Sequence, residues 1–165
     1  MTFVIDKMTA KDWDEVRVIY AEGIATGHAT FEARVPSWQE WNARHLPYSR
    51  LVARADETIK GWAALSPVSA RVVYAGVAET SIYVGQSYRG EGIGKALLDA
   101  LISDSERNGV WTLQAGIFPE NNWSIAMHKQ GGFREVGRRE RIGKMQGAWR
   151  DTILLERRSD VVGIE

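Results

Sequence analysis

Cysteine is absent from this sequence of 165 residues. Its absence excludes disulfide bonds, thiolate metal sites and a cysteine nucleophile within the sequence. It also fits a reducing compartment, so we expect a cytoplasmic protein. Histidine is scarce as well. The three histidines do not show the spacing of metal ligands, and we therefore predict no metal site.

Long apolar runs and an excess of one charge are also lacking. No apolar stretch approaches the about 20 residues that span a bilayer, and the first residues contain no apolar core of a signal peptide. The 21 basic and 21 acidic residues give a formal net charge of zero. Neither feature indicates a membrane or a nucleic acid as a partner.

The length is that of one domain with a full core. We predict that residues 1–158 form this domain and that residues 159–165 are a polar tail, with fraying from Arg157 on. Hydrophobic periodicity predicts the order β-α-α-β-β-β-α-β-α-β-β, which is typical of a mixed α/β sheet. Thr9 and a capping box from Ser37 to Glu40 start the first two helices. Residues 72–74 are expected to share a strand with residues 76–84.

One stretch combines a strand, a glycine-rich loop and a helix. Residues 82–84 are β-branched or aromatic, three glycines fall within residues 90–94, and apolar residues then recur at helical spacing. A helix N-terminus after such a loop presents free N–H groups to an anion, and Arg89 adds a positive charge. We predict a phosphate-binding loop. A turn that only reverses the chain is the alternative.

Two common nucleotide motifs do not fit this loop. A Walker loop would require glycine at Arg89 and serine or threonine at Ala96. A dinucleotide fingerprint that starts at Gly90 would require glycine at Lys95, and one that starts at Gly92 would require it at Leu97. Both motifs are therefore excluded.

The remaining pattern is Arg-x-x-Gly-x-Gly over residues 89–94, directly after a strand. It resembles the pyrophosphate loop of the GCN5-related N-acetyltransferases, the GNAT superfamily. Residues 121–133, with Asn-x-x-Ser, a histidine and Gly-Phe, resemble the segment of this family that contacts the distal part of coenzyme A. The resemblance implies the GNAT fold, a single α/β domain with a mixed, mostly antiparallel sheet flanked by helices.

A narrower resemblance covers nearly the whole chain. The sequence is similar to the group of phosphinothricin and methionine sulfone or sulfoximine N-acetyltransferases. Arg150 departs from this pattern, because the best-known herbicide-detoxifying members have histidine there. Residues 68–76 depart too, in a segment where specificity residues vary. The segments that carry the resemblance are residues 31–41, 78–84, 127–128 and 147–151.

The resemblance implies acetyl-CoA as the co-substrate. The strand before the loop would splay from its neighbour and pair with the pantetheine arm, while the loop N–H groups hold the pyrophosphate. A solvated helix lysine is the alternative for Lys95, and a plain helix cap is the alternative for Asn121. The residues expected to bind acetyl-CoA are Ile82, Tyr83, Val84, Arg89, Gly90, Glu91, Gly92, Ile93, Gly94, Lys95, Asn121 and Ser124.

Three residues are candidates for catalysis. The resemblance assigns to the Val84 N–H the polarisation of the thioester carbonyl. Glu79 is the candidate general base for the substrate ammonium, with a solvated or arginine-paired strand glutamate as the alternative. His128 stands where many GNAT enzymes have a tyrosine near the sulfur, and it could protonate the thiolate. A histidine packed on an amphipathic helix is the alternative for His128.

A substrate carboxylate would require an arginine. Arg71 is the best-placed candidate, while Arg34 and Arg150 are weaker ones. Phe31 and Trp149 could form walls of the pocket, with core packing as the alternative for both. His28 could touch a ligand, and His45 is expected at the surface. The residues expected to bind the substrate are Phe31, Ser69, Ala70, Arg71, Glu79, Thr80 and Ser81.

These features together predict an N-acetyltransferase that acts on the α-amine of a small amino-acid analogue. Phosphinothricin, methionine sulfoximine and methionine sulfone are the expected substrates, and a homodimer is expected by resemblance. A protein N-terminal or lysine acetyltransferase is one alternative. A GNAT module that binds acyl-CoA without catalysis is the other.

Overall fold

The computed structural model describes residues 2–165 and contains one seven-stranded sheet with strand order β1-β2-β3-β4-β5-β7-β6. Neighbouring strands are antiparallel except for β4 and β5, which are parallel. The predicted mixed, mostly antiparallel sheet is therefore confirmed. The strands are β1 Val4–Lys7, β2 Leu51–Ala55, β3 Thr58–Pro67, β4 Val77–Val84, β5 Thr112–Ile117, β6 Arg134–Met145 and β7 Ala148–Arg158.

Helices cover both faces of this sheet, and local signals set their first residues. The Ser37 hydroxyl accepts from the Glu40 N–H at 3.1 Å, and the Glu40 carboxylate accepts from the Ser37 N–H at 2.9 Å, as the capping box predicts. Within residues 2–165, no helix is long and apolar enough to cross a membrane. The helices are α1 Trp13–Ala25, α2 Trp38–Arg44, α3 Ile93–Arg107 and α4 Asn122–Gln130.

The core has two apolar layers, one on each face of the sheet. Alternate residues of β3 belong to different layers, since side chains alternate across a strand. Ala63 and Leu65 pack with Leu97 and Leu101 of α3, whereas Trp62 packs with α1 and α2. The sheet is thus covered on both sides, and its opening lies in the middle of the sheet, between β4 and β5.

The parallel strands β4 and β5 separate soon after they meet. They pair only from Val77 to Glu79 on β4 and from Thr112 to Gln114 on β5. β4 stays paired with β3 as far as Val84. Backbone groups on the β5 side of β4 therefore have no strand partner beyond Glu79, as the predicted splay requires.

One predicted strand segment is wrong. Val72–Tyr74 forms a 3-10 helix, closed by hydrogen bonds from Tyr74 N–H to Arg71 and from Ala75 N–H to Val72. The β-branched residues there favour a strand, but the ladder between β3 and β4 already ends at Pro67 and Ala78. Without a neighbouring strand the segment closes its hydrogen bonds locally, and Val72 is 87% exposed.

The expected fraying from Arg157 on is also wrong. β7 continues to Arg158, and the Arg157 guanidinium donates to Glu106 at 2.9 Å. Ser159 is buried, and its N–H donates to the Trp111 carbonyl at 2.8 Å. Arg158 also donates to the Val162 carbonyl at 2.8 Å. These bonds attach the polar segment to the sheet and to α3.

Candidate active site

A cavity of about 730 Å³ lies where β4 and β5 separate. Its walls come from β4 and β5 where they separate, the loop of residues 26–32, and one side of α4. The β6–β7 hairpin closes the far side with Arg139, Ile142, Thr152 and Leu154. Residues distant in the sequence thus share one cleft, which is the usual form of a small-molecule site.

Glu79 and Gln114 form the last pair of the parallel contact. The half-buried Glu79 lines the cavity, and its carboxylate accepts from the Gln114 side-chain amide at 3.0 Å. Gln114 thereby orients the carboxylate at the point where the strands open. A carboxylate held in this way can accept a proton from a bound amine.

His128 is buried, with 3% of its surface exposed, and it faces the cavity from α4. Its Nδ1 lies 2.8 Å from the Ser124 carbonyl oxygen, and its Nε2 lies 3.2 Å from the Thr80 hydroxyl. Because a carbonyl can only accept, the proton belongs on Nδ1, and Nε2 accepts from Thr80. Burial lowers the pKa of His128, so the imidazole is neutral at neutral pH.

The glycine loop forms a cradle for an anion. Gly90 and Gly92 have φ angles of +82° and +81°, in the left-handed region that favours glycine. The first backbone bond of α3 runs from the Ala96 N–H to the Gly92 carbonyl, so the N–H groups of residues 93–95 have no partner in the helix. A second cavity of about 200 Å³ lies against these residues and Arg89. These donors suit an anion such as a phosphate.

An ion pair that the sequence reasoning missed anchors this loop. Lys60 of β3 is 4% exposed, and its ammonium lies 3.2 Å from the Glu91 carboxylate and 4.9 Å from the centre of the Tyr88 ring. The sequence does contain a signal for this ion pair, because a lysine stands within the apolar run of β3. The Glu91 side chain is therefore turned toward the sheet. Lys95 forms an exposed ion pair with Asp99 at 2.6 Å.

Most predicted site residues come together. Glu91 lines neither cavity with its side chain, which faces Lys60. The second cavity is lined by Gly92, Ile93, Gly94 and Lys95, together with Val84, Arg89 and Gly90. The main cavity is lined by Phe31, Glu79, Thr80, Ser81, Ile82, Tyr83, Val84, Arg89, Gly90, Asn121, Ser124 and His128.

The predicted specificity segment lies apart from the cavity. Ser69, Ala70 and Arg71 do not line it, and the Arg71 guanidinium lies over the Tyr74 ring at 5.6 Å. Trp149 is 58% exposed on the β6–β7 hairpin, beside Lys144. His45, which was expected at the surface, instead stacks on Trp41 with ring centres 4.0 Å apart.

Arg150 fastens the loop of residues 26–32 over the cavity. Its guanidinium donates to the Gly27 carbonyl at 3.0 Å, lies 3.2 Å from Nδ1 of His28, and stacks on Phe118 at 4.1 Å. Asn121, besides capping α4, donates to the His28 carbonyl at 3.3 Å. The same loop carries Phe31 to the cavity wall.

Aromatic packing completes the wall on this side. The Phe31 ring meets Phe118 edge to face at 4.8 Å, and it lies against Gly143 of β6. Residues 2–165 contain no group of three or more histidine, aspartate or glutamate side chains positioned to hold a metal ion. The site thus consists of a carboxylate, a neutral imidazole, a glycine cradle and a partly aromatic wall.

A family model described as acetyltransferase (GNAT) family matches residues 12–133. The chain is 34% identical over 155 residues to phosphinothricin N-acetyltransferase of Alcaligenes faecalis, across 88% of this chain and 77% of that protein. It is 30% identical to the L-methionine sulfoximine/L-methionine sulfone acetyltransferase of Salmonella typhimurium, across 75% of this chain and 72% of that protein.

A solved structure extends this similarity to the whole fold. It is the structure of a GNAT superfamily phosphinothricin acetyltransferase from Sinorhizobium meliloti in complex with acetyl-CoA. The two structures match with a TM-score of 0.88 and 30% sequence identity, and the match covers 100% of this chain and 92% of the Sinorhizobium meliloti chain.

Proposed function

The chain belongs to the GNAT acetyltransferase family, and we propose that it acetylates the α-amine of a small amino-acid analogue. Phosphinothricin, methionine sulfoximine and methionine sulfone are the lead substrates. The observation that carries the proposal is the position of Glu79. Its carboxylate faces a cavity at the point where β4 and β5 separate, and the same β4 strand leads into the glycine cradle.

Acetyl-CoA, when bound, supplies an acetyl group that is activated as a thioester. The glycine cradle would hold the pyrophosphate through the N–H groups at the start of α3 and through Arg89. The stretch of β4 from Ile82 to Val84, which has no β5 partner, would pair with the pantetheine arm. The Val84 N–H is the donor that the family resemblance assigns to the acetyl carbonyl.

Glu79 would accept the proton of the substrate ammonium. An α-amine has a pKa of about 8, so it is mostly protonated at neutral pH and needs a base before it can attack. The Gln114 amide holds the carboxylate in place at 3.0 Å. Because the chain has no cysteine to carry the acetyl group, we propose direct attack with both substrates bound.

His128 would position Thr80 rather than release a proton. Its Nδ1 proton faces the Ser124 carbonyl at 2.8 Å, and its Nε2 faces the Thr80 hydroxyl at 3.2 Å. The Thr80 hydroxyl lines the cavity one residue after Glu79. The lowered pKa of His128 favours this neutral arrangement, because an imidazolium could not accept from Thr80.

The shape of the cavity favours a small substrate. Arg150 and Asn121 fasten the loop of residues 26–32, and Phe31 packs on Phe118, so the cavity has a wall where a protein substrate would need an open groove. The relatives named phosphinothricin or methionine sulfoximine acetyltransferases support the same class. We further propose a cytoplasmic homodimer, for which cysteine content and family resemblance are the support.

Release of free coenzyme A from acetyl-CoA tests the proposal. The panel contains phosphinothricin, methionine sulfoximine, methionine sulfone, ordinary amino acids, aminoglycosides and short peptides. We expect saturable turnover with the amino-acid analogues alone. Turnover with peptides alone would reject the substrate class, and acetyl-CoA binding without any turnover would favour a non-catalytic module.

A further inference from the structure

Two arginines on the wall of the main cavity, Arg89 and Arg139, have no side-chain partner within residues 2–165. Arg139 belongs to β6 and is exposed to solvent on the cavity side. Within residues 2–165, no acceptor or carboxylate lies within bonding distance of its guanidinium, although most arginines of this hairpin are paired. The sequence reasoning had not selected this residue. An unpaired guanidinium beside a proposed substrate site is a candidate contact for an anionic group.

The strand register places Arg139 on the cavity face of the hairpin. Its cross-strand neighbour is Thr152, and such pairs point to the same side of a sheet. Thr152 is buried and lines the cavity, as does Leu154 two residues later. The backbone pairing thus places Arg139 on the face of the hairpin that borders the cavity.

A bulge next to Arg139 sets this part of the wall. The pairing register of β6 shifts between Arg139 and Gly143, and Arg141 has a φ angle of +49°. The Asp151 carboxylate accepts from the Arg141 N–H at 2.7 Å and from Nε of Arg138 at 2.8 Å. Bulges of this kind redirect side chains beside active sites. Here Arg139 and Ile142 both reach the cavity.

The other candidate arginines are engaged or distant. The Arg150 guanidinium is bound by the Gly27 carbonyl, His28 and Glu120. Arg34 pairs with Glu40 at 3.3 Å outside the cavity, and Arg71 does not line it. Arg89 belongs to the glycine-loop end. Arg139 is therefore the arginine left for the end of the cavity that lies opposite the glycine loop.

The sheet also separates Arg139 from the proposed base. Glu79 pairs with Gln114, which pairs with Glu156 of β7, whereas Arg139 pairs with Thr152 of that strand. The two residues are thus three strand spacings apart, about 14 Å, and four residues apart along the strands, about 13 Å. The α-carboxylate of an amino acid stays beside its amine. A group that reaches Arg139 must lie at the far end of the substrate side chain.

We propose that Arg139 binds an anionic group at the end of the substrate side chain, such as a phosphinate. The planar guanidinium suits two oxygens of such a group. The inference rests on the proposed function and deepens it, because it makes phosphinothricin a better substrate than methionine sulfone, whose side chain is neutral. A specificity determinant then lies on β6, outside residues 69–71.

Steady-state kinetics of Arg139→Gln with both substrates tests the proposal. We expect kcat/KM for phosphinothricin to fall by about tenfold to a hundredfold, as the loss of a charge-assisted hydrogen bond implies, mainly through KM. The value for methionine sulfone should change by less than about threefold. Arg139→Lys should recover part of the loss. Arg134→Gln, which removes an arginine of the same strand that pairs with Glu156 outside the cavity, is the control.

Equal losses on both substrates, or no loss on either, would overturn the role of Arg139. Thermal unfolding of each variant checks folding, and the KM for acetyl-CoA should stay unchanged. The proposed function is judged on the wild-type protein. If the wild type releases no coenzyme A with any amino-acid analogue, the proposed function fails and the role of Arg139 falls with it. Wild-type turnover with an unselective Arg139→Gln variant rejects only the role of Arg139.

Discussion

At the scale of single residues, the proposed chemistry depends on Glu79 and on Gln114, which holds its carboxylate. Gln114 is the last β5 residue that pairs with β4, and its amide donates to the carboxylate at 3.0 Å. A glutamate two residues farther along β4 would lie beyond the paired region. The position of one carboxylate thus depends on where two strands separate.

Glu79→Gln should abolish most turnover and leave acetyl-CoA binding intact. Glutamine keeps the shape and can still bond to Gln114, but it cannot accept the ammonium proton. We expect kcat to fall by about 10²- to 10⁴-fold, the usual contribution of a general base. Coenzyme A release and an acetyl-CoA titration measure the two effects. Glu135→Gln, at an exposed position on β6, is the control. Near-normal turnover of Glu79→Gln would contradict the role of Glu79.

At the scale of elements, the glycine loop depends on a charge pair with the sheet. Lys60 holds the Glu91 carboxylate at 3.2 Å from inside β3, and this contact sets where the loop enters α3. The loop glycines provide the conformation, while the ion pair provides the attachment. Acetyl-CoA affinity should therefore depend on a residue whose side chain does not face either cavity.

Glu91→Gln should lower both stability and acetyl-CoA affinity. The change leaves the buried ammonium of Lys60 without this carboxylate, which should cost about 1 to 3 kcal/mol of the free energy of unfolding. Asp99→Asn removes the exposed ion pair with Lys95 on the same helix, and it should cost about 0.5 kcal/mol or less. Urea unfolding and an acetyl-CoA titration compare the variants. Similar losses of stability and affinity in both variants would show that the Lys60–Glu91 pair contributes no more than an exposed ion pair.

The contact between Gly143 of the β6–β7 hairpin and Phe31 leads to a second prediction at the scale of elements. A Cβ at Gly143 would lie 2.6 Å from Cε1 of Phe31, so Gly143→Ala should displace the Phe31 ring and open the cavity wall. We expect the KM for the amino-acid substrate to rise severalfold, with little change in the KM for acetyl-CoA. Gly137→Ala on the same strand is the control, because a Cβ there meets nothing within 4 Å. An unchanged KM in Gly143→Ala would mean that Phe31 does not shape the site.

The whole molecule should lose stability in mild acid because of the half-buried His45 and the buried His128. Burial lowers the pKa of both His45 and His128 in the folded state, whereas the unfolded chain binds protons with a pKa of about 6.5. The unfolded state therefore gains protons first as the pH falls below about 6.5. The free energy of unfolding should fall with pH there, by at most about 1.4 kcal/mol per pH unit for each histidine.

Urea unfolding at pH 5, 6 and 7 measures this slope, and His45→Gln should reduce it. Glu40, Glu120 and Asp151 also have lowered pKa values, because hydrogen bonds favour their charged forms. Their contribution is lost only as the pH falls below the unfolded carboxyl pKa of about 4. The two ranges are therefore separate. An equal slope in the variant between pH 5 and 7 would exclude His45 as a source.

Local sequence patterns were sufficient to predict most of the helices and strands. The capping box at Ser37, the glycine loop before α3 and the Asn108-Gly109 end of that helix act within a few residues, so a sequence reading can find them. The strand prediction at Val72 and Val73 was wrong, because strand propensity has no effect where no neighbouring strand is available. The predicted fraying from Arg157 on was also wrong, because the partner of Arg157, Glu106, lies 51 residues away on α3.

The sequence by itself determined the family and indicated the candidate anion loop and the candidate base, because these depend on short motifs with local geometry. The tertiary structure alone decided which residues share the cavity. Strand register placed Arg139 and Thr152 opposite each other. The irregular segment between β3 and β4 kept Arg71 away from the cavity. Burial made His128 neutral, and a contact across the sheet paired Lys60 with Glu91. These facts depend on contacts between distant segments, which no local pattern specifies.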